Sequence, residues 1–119
     1  MEDSLKNKLI ESGIDVDSAM ERFMNNDAMF KKFLLKFLDD PNMVSLRQGL
    51  DERNKDMAFR AAHTLKGVCG NLSLVSLAKV ASESTEFLRA GDIDSAIAKM
   101  PEVEEEYAKA IDVIKSYIQ

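Results

Sequence analysis

Apolar residues recur at intervals of three and four along nearly the whole of this 119-residue chain, and only two prolines and five glycines interrupt them. That period gathers side chains on one face of an α-helix, whereas a half-buried strand needs strict alternation. Runs of β-branched residues, which would favour strands, are absent. The fold class follows as all-α.

The same periodicity divides the chain. Leu5, Leu9 and Ile10 mark a short helix ended by Gly13, and Val16, Ala19, Met20 and Phe23 a second that stops at Asn25-Asn26. These are read as accessory N-terminal helices over about residues 4–25. From an N-cap at Asp27, a third helix carries Phe30, Phe33, Leu34 and Phe37 on one stripe. Beyond Asp39-Asp40-Pro41, the residues Met43, Leu46 and Leu50 fall out of phase with that stripe, so a break or kink is expected at Pro41.

The next helix runs from about Asp56 to Leu72. Another follows from about Leu74 to Arg89, with Leu74, Leu77, Ala78, Ala81, Thr85 and Leu88 inward, and ends at Gly91. The last begins at Asp94 and is expected to bend or restart at Pro101. Its stripe of Val103, Tyr107, Ala110, Ile111, Ile114, Tyr117 and Ile118 is the clearest amphipathic signal in the chain. Short connections favour antiparallel neighbours. The expected architecture is an antiparallel four-helix bundle over about residues 27–118, within a single domain spanning 1–119.

Bulk composition narrows the function. Apolar residues make up 45% of the chain and charged residues 31%, as in a globular domain rather than a disordered one. The formal charge of −5 disfavours nucleic acid and anionic membrane surfaces, so the expected partner is protein. Cys69 is the only cysteine, which excludes an internal disulfide and fits a reducing compartment. Met1 to Lys6 has neither a basic nor an apolar targeting pattern, and Lys36 interrupts the longest greasy stretch, Phe33 to Leu38. A soluble, cytoplasmic and monomeric protein is expected. The initial Met and the span of one whole domain favour a free-standing chain.

The chemistry concentrates around the one histidine. On a helical wheel, Ala58, Ala61, Ala62, Leu65, Val68, Cys69 and Leu72 form the buried stripe of its helix. His63 lies roughly 160° from the centre of that stripe, so its ring is expected in solvent. Gly67 at i+4 and Gly70 at i+7 share its face. Each glycine costs about 1 kcal/mol relative to alanine in a helix interior. Together they remove about 2 kcal/mol from a total stability of roughly 5–15 kcal/mol, which core packing cannot explain on a solvent face. Bare backbone beside an imidazole lets another protein's surface approach the ring.

Lys66, at i+3, can pair with a phosphoryl group as a mobile point charge. Arg53, Lys55, Arg60 and Lys66 face one acid, Asp56, over this segment, giving the histidine a positive setting inside an acidic chain. Phe59, at i−4, projects outward by the same wheel and would supply apolar contact area to a partner. Cys69 falls on the buried stripe as a small core residue.

The segment Ala62-His63-Thr64-Leu65-Lys66-Gly67 resembles the H-x-L-K-G signature of histidine phosphotransfer (HPt) domains. The resemblance extends to the aromatic- and leucine-rich helix before it, Asn71-Leu72 after it, the stretch from Glu86 to Asp92 and the final helix, covering roughly residues 14–118. Two positions depart from the pattern. Ser73 stands where many members carry glycine, and the Pro41 segment is about two residues short for one continuous helix.

The resemblance implies a phosphorelay intermediate in two-component signalling. His63 would accept a phosphoryl group on Nε2 from a receiver-domain aspartate and pass it to another, with Lys66 supplying phosphate electrostatics. Phe59, Arg60, Gly67 and Gly70 would dock the partner, a response-regulator receiver or a hybrid sensor kinase. It also implies a phosphocarrier without kinase activity of its own, no cofactor or metal in this chain, and Mg²⁺ on the receiver. The competing reading is an HPt-like adaptor bundle that is not phosphorylated. A carboxylate-bridged metal enzyme would need Glu-x-x-His pairs on two helices, but Arg60 occupies the i−3 position of the one histidine. A sensor-kinase dimerisation helix would place an acid directly after His63, where Thr64 stands.

Overall fold

The structure, a computed structural model describing residues 3–118, contains seven α-helices and no strand among those residues. They are α1 (Asp3–Glu11), α2 (Val16–Arg22), α3 (Asp27–Phe37), α4 (Asn42–Asp51), α5 (Lys55–Asn71), α6 (Val75–Arg89) and α7 (Ile93–Ile118). Tight turns join the last four helices, so successive ones run antiparallel. Helix α5 packs between α4 and α6, and α7 packs against α6, α4 and α3. The result is an elongated four-helix bundle of α4, α5, α6 and α7, with α3 packed against α7 and α2, and the described residues measure 43 × 22 × 20 Å.

Polar side chains set the helix starts. The Asn54 side chain accepts a hydrogen bond from the Met57 N–H at 3.1 Å to open α5, and Asp92 accepts from the Ser95 N–H at 3.1 Å to open α7. Asn26, rather than the expected Asp27, caps α3, accepting from the Met29 N–H at 3.0 Å. The expected break at Pro41 is present. Asp40 Oδ1 accepts from both the backbone N–H and the side-chain amide of Asn42, at 2.9 and 2.8 Å, and the chain restarts there as α4.

No restart occurs at Pro101, because α7 continues through it. The carbonyl that loses its donor there belongs to Ile97, a position 38% exposed, where water can replace the missing N–H.

The core is as the periodicity requires, with a few displacements. Phe30, Leu34, Phe37, Met43, Leu46, Leu65, Leu77, Ile114 and the alanine stripe of α5 are buried. Val68, Ala78, Tyr107 and Ile111 are only partly buried, and the Ile118 side chain lies outside the described residues. Phe33 departs from its expected place. It is 39% exposed and lies against Phe23, with ring centroids 5.5 Å apart, because α2 rather than the bundle covers that side of α3.

The two N-terminal helices and the connection between them contribute to the same core through Leu9, Ile14, Val16 and Ala19. They are tied to the α5–α6 turn. The Asp15 N–H donates to the Ser73 carbonyl at 2.9 Å, and the Ser76 N–H donates to the Gly13 carbonyl at 3.2 Å. Ser73 is buried with φ +58°, a left-handed conformation that favours glycine, and its hydroxyl donates to Ser18 Oγ at 3.2 Å. The Ser73 side chain thus ties the α5–α6 turn to α2.

Candidate functional site

Helix α5 buries Ala58, Ala61, Ala62, Leu65 and Cys69 and turns His63 outward. The imidazole is exposed, and Gly67 and Gly70 are exposed on the same face. A Cβ added at either glycine would meet nothing within 4 Å. Among the described residues, no neighbour therefore requires glycine at those two positions, and what they leave is unobstructed main chain beside a reachable imidazole.

Phe59 is half-buried rather than fully outward. Its ring stacks on the His63 imidazole with centroids 5.8 Å apart and planes 11° from parallel. The i, i+4 spacing could have revealed this pair in the sequence. Arg89, from the end of α6, places its guanidinium carbon 5.2 Å from the centre of the Phe59 ring, and its Nε lies 3.4 Å from Glu86 Oε1. No sequence pattern links Arg89 to Phe59, because only the pairing of α5 with α6 brings them together.

The other expected residues fall around this centre. Lys66 is half-exposed and makes no ion pair with a described residue. Arg60 is exposed and, with Thr64, lines a polar cleft of about 530 Å³ between α4 and α5 that also includes Asn42, Ser45 and Asp56. A more apolar groove of about 500 Å³, bordered by Phe23, Phe33, Lys36, Val68 and Leu72, opens toward the far end of α5. Arg53 does not join the positive setting. From the turn between α4 and α5 it pairs with Asp94, in the first turn of α7, at 2.8 Å. The fold puts Arg89 beside the site instead.

Cys69 is fully buried, and desolvation pushes its thiol up to about 12. Among the described residues, no cluster of His, Cys, Asp or Glu side chains is arranged to hold a metal ion, and no helix is long and apolar enough to cross a membrane.

The fold is an all-helical bundle that presents the chain's one histidine on an open helix face. The family model of the Hpt domain matches residues 36–113, which take in α4, α5, α6 and most of α7. The chain belongs to that family, whose members take part in histidine phosphotransfer in phosphorelay signalling and interact with receiver domains and kinases of two-component systems. No match was found among curated proteins or among solved structures.

Proposed function

We propose that His63 is the phosphoryl-accepting histidine of a relay intermediate, loaded by a receiver aspartyl phosphate and unloaded onto the aspartate of another receiver. One observation carries this reading. The chain's one histidine is exposed beside two helical glycines whose missing side chains leave open space.

In each transfer an imidazole nitrogen forms the N–P bond as the acyl-phosphate P–O bond breaks, and the aspartate carboxylate departs with that electron pair. A neutral imidazole needs no separate base for this step. In-line transfer depends mainly on position and charge neutralisation, which a rigid helix face supplies once a partner has docked. Lys66, free of any described ion pair, is the cation within reach of the phosphorylated ring. Gly67, Gly70 and Arg60 form the surrounding docking surface, while Phe59 is half-buried against the core behind the imidazole. Mg²⁺ belongs to the receiver, and this chain works as a monomeric single domain without a cofactor or kinase activity of its own. A relay needs turnover, so the docked interface is transient and small, near or below about 1,200 Å².

The test is incubation with phosphorylated receivers, followed by intact-mass measurement. Wild type gains one phosphoryl group that is acid-labile and base-stable, and His63→Gln gains none. A wild-type chain that binds receivers yet never acquires phosphate is an adaptor instead, which ends this reading.

A further inference from the structure

We infer that Phe59 is a positioning residue for His63, its ring holding the imidazole in the orientation that a docked donor requires. The inference rests on His63 being the phosphoryl acceptor.

An exposed histidine on a helix ordinarily exchanges side-chain rotamers within nanoseconds. Among the described residues, the stack on Phe59 is the one ring contact that His63 makes, and no hydrogen bond reaches either ring nitrogen. The geometry of that contact matters. With planes 11° from parallel and centroids 5.8 Å apart, Phe59 lies against the imidazole in an offset stack. The nucleophilic lone pair lies in the ring plane, at an edge. A stack can therefore restrain the torsions and leave the reactive nitrogen free, whereas a hydrogen bond would restrain them by occupying a nitrogen.

Phe59 is itself fixed. It packs against the core as a half-buried side chain, and the Arg89 guanidinium from α6 lies over its ring, 5.2 Å from the centroid. The imidazole is thereby referenced to two helices of the bundle. Such restraint accelerates transfer only when the donor's approach is also fixed, because a freely diffusing small donor can meet the ring from any direction.

That distinction supplies the experiment. Single-turnover transfer from a phosphorylated receiver is measured against receiver concentration for wild type, Phe59→Leu and Phe59→Tyr, beside phosphorylation by phosphoramidate. In Phe59→Leu the saturating rate should fall about two- to ten-fold, while the half-saturating receiver concentration stays within roughly two-fold. Phe59→Tyr should restore the rate, and phosphoramidate should modify all three proteins equally. The ring protons of His63 should be shifted upfield by the stacked ring in wild type and Phe59→Tyr but not in Phe59→Leu, a readout that needs no donor.

A raised half-saturating concentration with an intact saturating rate would make Phe59 a docking contact only and overturn the inference. So would an equal loss with phosphoramidate, unshifted His63 protons in the wild type, or a Phe59→Leu protein that transfers like wild type. A wild type modified by phosphoramidate but never by receivers would instead remove the reading of His63 on which the inference rests.

Discussion

Gly49 of α4 and Ala58 of α5 bring two helix backbones into near contact. A Cβ on Gly49 would stand 2.7 Å from the Ala58 nitrogen and 2.9 Å from its Cα. Backbone atoms cannot move aside as a side-chain end can, so the helices themselves must part. Gly49→Ala should cost about 1–3 kcal/mol by overpacking, despite alanine's better helix propensity. Urea unfolding of the variant should show a lower midpoint with an unchanged slope.

Gly67 and Gly70 should behave in the opposite way. With open space where each Cβ would go, Gly67→Ala and Gly70→Ala should each stabilise the free protein by up to about 1 kcal/mol. A long side chain at Gly67 should leave stability intact and raise the receiver concentration needed for transfer. Thermal melts beside transfer assays check both halves. A destabilised Gly67→Ala would point to an internal role for the bare backbone.

Lys66 lies one turn from His63 and has no described carboxylate to neutralise it. Lys66→Ala should slow transfer about ten-fold while stability changes little, because the side chain is half-exposed and its charge meets a partner only when phosphate is present. Lys66→Arg should recover part of the rate. Time courses of phosphorylated protein, with melts as controls, measure both.

Cys69 offers a pH test of the core. The folded thiol keeps its proton up to about 12, whereas the thiol of an unfolded chain loses it near 9.0. The folded state therefore holds more protons between those values. This contribution is intact below about pH 9 and is lost as pH rises toward 12, by on the order of 4 kcal/mol across that window. Wild type should lose stability over this range faster than Cys69→Ala, which cancels the other alkaline titrations common to both. At pH 8 the native thiol should resist alkylation that is rapid in urea.

Much of this arrangement was legible from residue order. A helix of known pitch assigns each position a direction, so the burial of Ala58, Ala61, Ala62, Leu65 and Cys69 and the exposure of His63 could be read from a wheel, and they stand in the structure as read. Helix stops at Gly13 and around Pro41 were equally local, since each depends on the backbone of one or two residues. Pro101 does not restart its helix; the carbonyl that loses its donor belongs to Ile97, and the exposure that lets water serve it is a tertiary quantity.

By itself, the sequence determined the helical class, the inward stripe of each main helix, the reachable histidine and its glycine-flanked face. Only the tertiary structure decided that Arg53 is spent on Asp94, that Arg89 stands over Phe59, and that Phe33 lies partly open against α2. The reason is geometric. A wheel gives a side chain's direction about its own helix axis, but which neighbouring helix occupies that direction, and at what height, is fixed by the packing of distant segments.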